Sequence, residues 1–124
     1  SEIVKKRIEE EVPNGLLGIN IGPNKDTSNM TNDFIDCAKT FFPLGDYITI
    51  NISSPNTEGL RDFHNKEHLQ KLLSNINLVR ETSNFNKSFL LKVSPDLDDQ
   101  SIDNIVQLSL ENMTGFSSFI TWAI

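Results

Sequence analysis

Cysteine occurs once in the 124 residues, at Cys37, so the chain forms no internal disulfide and nothing in it demands an oxidising compartment. Concentrated positive charge is also missing. Lys and Arg total 11 against 17 Asp and Glu, a formal net charge of -6, and the triplet Lys5, Lys6, Arg7 runs directly into Glu9, Glu10 and Glu11. Nucleic acids and anionic membrane surfaces select for basic clusters, which excludes both as partners and leaves small molecules or protein. Long hydrophobic runs are absent too. No stretch approaches the ~18 apolar residues of a membrane span, and no apolar segment follows the N-terminal charges as a targeting signal requires. The hydrophobic fraction is a modest 37% and the mean hydropathy -0.30. The apolar residues nevertheless cluster into periodic runs, which predicts a packed core rather than disorder. No linker, low-complexity tract or shift in composition divides the chain, so one domain over residues 1–124 is expected.

What is present is one unit used three times: a short apolar run, a polar loop, and an amphipathic stretch. The first run is Leu16-Leu-Gly-Ile-Asn-Ile21. A helix is expected after it near Thr31, with the Thr31 hydroxyl as cap, Asp33 in the first turn, and a face of Phe34, Ile35, Cys37, Ala38, Phe41 and Phe42. The second run is Tyr47-Ile-Thr-Ile-Asn51, and its helix starts near Lys66 with Leu69, Leu72, Leu73, Ile76 and Val79 at a 3.6-residue spacing. The third run is Phe89-Leu-Leu-Lys-Val93, followed by a helix from about Asp98 to Glu111 that carries Ile102, Ile105 and Val106 and ends before Gly115. A fourth apolar run covers residues 116–124. Alternation of this kind, with connections long enough for right-handed crossovers, predicts the α/β class with a parallel sheet. The length is about half of the roughly 250 residues of a closed (β/α)8 barrel, so the fold is either small or part of a larger one.

Polar residues interrupt the ends of these runs. Asn20 lies near the end of the first, Asn51 ends the second, and Lys92 sits one residue before the end of the third. In a parallel sheet those ends share one rim, where α/β enzymes keep their chemistry. An amide both donates and accepts, which suits a planar ring with imide-like edges such as a pyrimidine or a flavin. A lysine on that rim would stabilise a developing anion. The plainer reading is that polar residues commonly end strands; three on one rim favour a site. His64 and His68, four apart, lack the pattern of a zinc motif and read as a solvated helix face. Asp96, Asp98 and Asp99 read as helix capping. No metal is expected.

The motifs Gly18-Ile-Asn-Ile-Gly-Pro-Asn-Lys25, Asn51-Ile-Ser-Ser-Pro-Asn-Thr-Glu-Gly-Leu-Arg61 and Leu91-Lys-Val-Ser-Pro-Asp96 together resemble, in order and spacing, the membrane-associated, quinone-using class 2 dihydroorotate dehydrogenases. The resemblance covers residues 15–115 and corresponds to the middle of that family's catalytic barrel. It implies half of a TIM (β/α)8 barrel and FMN-dependent oxidation of dihydroorotate to orotate in pyrimidine (UMP) synthesis. Ser54 would be the base that removes the C5 proton, and serine rather than cysteine at this position points to class 2. Asn51 and Asn56 would hold the pyrimidine, Asn51 would also touch the flavin, and Asn20, Lys92 and Thr121 would bind FMN. Trp122 stands where the family pattern has an asparagine. A serine hydroxyl is a weak base in water, so Ser54 needs a dry pocket and a relay for its proton, for which Thr57 is the candidate.

The resemblance further implies a quinone acceptor reached through regions outside these residues, and membrane association through an N-terminal segment likewise outside them. The corresponding location is the mitochondrial inner membrane in a eukaryote or the inner membrane in a bacterium. The chain alone is expected to be inactive, and its uncovered sheet edges favour self-association. A non-catalytic half-barrel serving as an interaction or regulatory piece is the alternative.

Overall fold

The computed structural model describes residues 2–11, 14–54 and 57–112 and the backbone of residues 119–123. The elements in chain order are α1 (Glu2–Glu10), β1 (Gly18–Ile21), α2 (Met30–Phe41), β2 (Tyr47–Asn51), a 3-10 turn (Leu60–His64), α3 (Lys66–Thr82), β3 (Ser88–Val93), α4 (Asp99–Glu111) and β4 (Phe119–Ala123). The four strands pair in parallel and in sequence order, β1-β2-β3-β4, with α2, α3 and α4 in the three crossovers. This is the parallel β/α arrangement that the repeated unit predicts, and its four strands fit the half (β/α)8 barrel that the resemblance implies.

Strand alternation decides where the core sits. Ile19 and Ile21 on β1, Ile48 and Ile50 on β2, and Phe89, Leu91 and Val93 on β3 are all buried, and they form one cluster with Phe34, Ala38, Leu69, Leu72, Leu73, Ile76, Ile105 and Leu108 of the helices. Each such side chain contributes about 1.5–3 kcal/mol when removed from water. The alternate positions, Gly18, Asn20, Tyr47, Thr49, Asn51, Ser88, Leu90 and Lys92, belong to the opposite face. That face carries the polar residues. Its β1 members are exposed, and a Cβ built on Gly18 would overlap the Tyr47 ring. The phenol therefore lies across bare backbone at the start of β1.

The helices begin on short polar side chains. Asn65 Oδ1 accepts from the Glu67 amide at 2.9 Å, and an Asp98 carboxylate oxygen accepts from the Ser101 amide at 2.7 Å. Hydrogen bonds from Ser101, its side chain first and then its backbone amide, hold the Asp98 carboxyl below the usual carboxylate range. Helix α2 starts two residues earlier than a Thr31 cap predicts: Asn29 Oδ1 accepts from the Asn32 amide at 3.1 Å and leaves Met30 as the first helical residue. On α4 the buried face is Ile105, Leu108 and Ser109, while Ile102 and Val106 are 39% and 42% exposed. The expected face is therefore rotated. α4 packs against α3 and β4, and it is the 105, 108, 109 side that it buries. The expected stop at Gly115 lies outside the described residues; Asn112 caps the helix at its own Leu108 carbonyl.

At the N-terminal ends of the strands, three phenylalanines and three charged side chains lock the base. Phe42 stacks on Phe85 with centroids 4.6 Å apart and meets Phe89 edge-on at 4.9 Å. The guanidinium of the buried Arg80 lies 5.7 Å from the Phe89 ring centre. Asp46 accepts from the Leu17 amide at 2.7 Å through its carboxylate and donates its own amide to the Leu17 carbonyl at 2.7 Å. Lys87 donates to the Gly45 carbonyl at 2.7 Å. Because Phe42 is fully buried against two other rings, Phe42→Ala is expected to cost about 3–5 kcal/mol in urea unfolding, whereas Leu78→Ala, at a position 59% exposed, is expected to change stability by less than about 0.5 kcal/mol.

Candidate active site at the strand ends

The C-terminal ends of β2 and β3 bring two of the expected residues side by side. Asn51 pairs in register with Lys92, on the face that no helix of the described residues covers, and both side chains are half-buried. The Ile52 amide donates to the Lys92 carbonyl at 3.0 Å and extends the pairing one residue past the strand. Asn20 shares this face but pairs with Thr49, one pleat repeat below Asn51, so the three residues occupy one rim at two levels rather than one row. β1 ends at Ile21, and the residue that would continue level with Asn51 is Gly22. Thr121 falls in register with Leu91, and Trp122 falls in register with Lys92.

The Asn51 side chain organises the chain that follows. Its Oδ1 accepts from the Ser53 amide at 3.0 Å and from the Ser53 hydroxyl at 2.7 Å, an Asx turn that ends the strand. Ser54, half-buried, comes next. Thr57 is half-buried and its carbonyl accepts from the Leu60 amide at 3.2 Å. Asn56 lies outside the described residues. Gly59 adopts a φ of 73°, the left-handed region, and passes the chain into the 3-10 turn. Leu60 and Phe63 then bury, and Phe63 meets Phe34 of α2 edge-on at 5.8 Å. The segment with the serines is thus held at both ends, by a side-chain turn at Asn51 and by an apolar anchor at Leu60 and Phe63.

Electrostatics around this segment separate structural from reactive groups. The Cys37 thiol, expected to be buried and inert, is half-buried, lies 3.9 Å from the Gly22 carbonyl, and is pushed up by burial and then by Asp33. A raised thiol is a poor nucleophile. His64 in the 3-10 turn is held below its ordinary value by burial and then by Arg61, and its Nε2 is buried without a hydrogen-bond partner among the described residues. His68 places Nδ1 3.2 Å from the Asp62 carbonyl. Among the described residues no three His, Cys, Asp or Glu side chains converge as metal ligands. Likewise among the described residues, no helix is long and apolar enough to cross a membrane. A groove of about 410 Å³ between α2 and α3, lined by Met30, Asp62, Phe63, His68 and Lys71 among others, includes none of Asn20, Asn51, Ser54 and Lys92.

Motif order, strand register and the helix-free rim all match the architecture that the resemblance implies. A profile described as Dihydroorotate dehydrogenase matches residues 1–122. The chain belongs to the dihydroorotate dehydrogenase family. Among its relatives, a dihydroorotate dehydrogenase (quinone) of Xanthomonas axonopodis pv. citri (strain 306) is 48% identical over 95 residues, which cover 72% of this chain and 27% of that protein. A dihydroorotate dehydrogenase (quinone) of Stenotrophomonas maltophilia (strain K279a) is 47% identical over the same shares. Among solved structures, DHODH from Eimeria tenella in complex with ferulenol superposes with a TM-score of 0.75 at 28% identity, covering 90% of this chain and 34% of that one. The chain therefore spans about a quarter to a third of its relatives. The match to solved dihydroorotate dehydrogenases also establishes the sheet as part of a TIM barrel wall.

Sequence reasoning missed α1, the 3-10 turn and the place of His64. Glu2 in the first turn and Arg7 in the last are the charge signals that mark α1. Leu60 and Phe63, three apart between two polar stretches, are the signal for the 3-10 turn.

Two outcomes are expected. Asn51→Ala removes the acceptor of the Asx turn and should speed exchange of the Ser53 amide roughly fivefold, the factor that about 1 kcal/mol per hydrogen bond implies, while Asn51→Asp, which keeps an acceptor, should leave it near the wild-type rate. Folding also favours neutral His64, so the part of stability owed to that ring is retained above the ordinary imidazole value of 6.5 and declines as pH falls through it, because the unfolded chain takes up the proton first. Urea midpoints measured from pH 7.5 to 5.5 should fall less in His64→Gln than in the wild type.

Proposed function

We propose that this chain carries part of the catalytic face of a quinone-dependent dihydroorotate dehydrogenase, which oxidises dihydroorotate to orotate in pyrimidine synthesis. The observation that carries this reading is the register pair Asn51 and Lys92 on the helix-free face, immediately before Ser54. The rim fits a flat heteroaromatic group such as FMN. Asn20 is exposed near the end of β1, while Gly18, at the far end of that strand, is covered by the Tyr47 ring; the amides of Asn20 and Asn51 and the ammonium of Lys92 supply the donors. Asn20, Asn51 and Lys92 are the residues that would hold the group; Thr121, expected to join them, falls in register with the core residue Leu91 and so belongs to the other face of the sheet. FMN, when bound, supplies the hydride acceptor.

The remaining roles belong to this chain. Asn51 and Asn56 orient the pyrimidine by reading its carbonyl and N–H edges. Ser54 takes the C5 proton, with Thr57 passing that proton onward. The ammonium of Lys92 favours negative charge that develops at the rim during oxidation. Asn51 has two tasks, since the oxygen that ends the strand at Ser53 leaves its NH2 free to point at a ligand. A quinone acceptor is lipid-soluble, which sites the reaction of the whole protein at a membrane surface, the mitochondrial inner membrane for a eukaryotic source and the inner membrane for a bacterial one.

The test is a chimaera in which residues 15–112 replace the matching stretch of the Xanthomonas axonopodis pv. citri relative. It should hold flavin and bleach when dihydroorotate is added anaerobically. Ser54→Ala in the chimaera should keep the flavin and slow bleaching by about 10²-fold or more, the usual loss when a general base is removed. Lys92→Ala should weaken flavin retention. A folded chimaera that holds flavin but never bleaches, or one in which Ser54→Ala bleaches at the parental rate, argues against the assignment and favours a non-catalytic half-barrel.

A further inference from the structure

The pair formed by Arg61 and Asp96 has no part in the roles above, yet it joins the two loops that carry them. Arg61 stands in the 3-10 turn beyond Ser54, and Asp96 stands in the loop after Lys92. Arg61 Nη2 lies 3.7 Å from Asp96 Oδ2, with the side chains 45% and 74% exposed. The same Oδ2 accepts from the Ser94 hydroxyl at 3.4 Å, and the Asp96 amide donates back to that hydroxyl at 3.4 Å. Ser94 itself is buried, so the carboxylate is presented to Arg61 by a fixed partner beneath it.

An exposed pair of this kind adds little to global stability. Its leverage comes from position. The last backbone bond between the two strand ends is from the Ile52 amide to the Lys92 carbonyl, and past it the chain leaves the sheet. Residues 57–65 are then held by short-range turn bonds, from the Leu60 amide to Thr57, the Asp62 amide to Gly59 and the Asn65 amide to Asp62, and by the Leu60 and Phe63 anchors on the helix side. Among the hydrogen bonds and ion pairs given for the described residues, the Arg61–Asp96 pair is the one that runs from this segment to the loop after β3, whose Leu97 also packs on the apolar cluster containing Leu60 and Phe63. Short turns of this sort open at low free-energy cost, so a weak contact is enough to shift the balance between closed and open.

We propose that Arg61 and Asp96 are positioning residues that clamp the Ser54 segment to the β3 loop beside Lys92. The functional meaning of the clamp rests on the proposed role of Ser54, whereas the clamp is measurable on this chain without any ligand. The experiment is amide hydrogen exchange on the 124-residue protein, read at Leu60, Asp62 and Asn65. Arg61→Ala and Asp96→Ala should each speed these amides about three- to fivefold, the double variant should be no faster than either, and Arg61→Lys should restore part of the protection. Amides of α3 should not change. Salt at 0.5 M should bring the wild type toward the variants, because it screens an exposed pair.

Unchanged rates, additive effects in the double variant, or acceleration spread equally through α3 would each overturn the clamp. Orotate added to the flavin-holding chimaera described above, with exchange read at the same amides, separates this inference from the functional reading. Slower exchange at the same amides supports both, and clamp effects without any orotate protection leave the clamp standing while removing orotate as its ligand.

Discussion

Ile48, Ile50 and Ile52, all completely buried, set the phase of the central strand. Phase in a strand allows no intermediate setting, because a slip of one residue exchanges its two faces. With the isoleucine row committed to the helices, Tyr47, Thr49 and Asn51 are committed to the other side, and the parallel register carries the same choice to Ser88, Leu90 and Lys92 on β3. The site is thus a by-product of core packing. No separate interaction is needed to bring Asn51 and Lys92 together; the hydrophobic effect on one face delivers polar groups to the other.

The same constraint explains why the chemistry gathers beyond the strand ends. Within β2 and β3, which have a strand on either side, the backbone is taken up by the ladders and the open face offers side chains alone. Past Ile52 the backbone is released, and short polar side chains take over its hydrogen bonds, as Asn51 does for Ser53. Such turns are stiff enough to aim a hydroxyl and loose enough to be adjusted by one charge pair. Apolar anchors at Leu60 and Phe63 confine that looseness to a few residues.

Much of this was legible from residue order. Runs with β-branched residues marked β2 to the residue, and the spacing of Leu69, Leu72, Leu73, Ile76 and Val79 marked α3, because in both the buried pattern is long and uninterrupted. The face of α4 was misread, since Ile102, Ile105 and Val106 fit a helical stripe as well as Ile105 and Leu108 do, and only packing against α3 and β4 selects between them. Asn29 rather than Thr31 caps α2 because two capping residues lay close together and the loop decided which of them reached the orphan amides. At the site, the rim itself was predictable from strand ends, but the level of Asn20 was not. Register between β1 and β2 depends on how their loops close at Asp46 and Leu17, a pairing 29 residues apart that no local pattern encodes.

The Tyr47 ring lying over Gly18 makes two positions into one unit of volume. A methyl group on β1 would displace the phenol, which is partly exposed, so a larger residue at 18 is best matched by a smaller one at 47. At this end of the open face the floor is therefore set by side-chain volume shared between two neighbouring strands, with the tyrosine of one filling the place that the glycine of the other leaves empty.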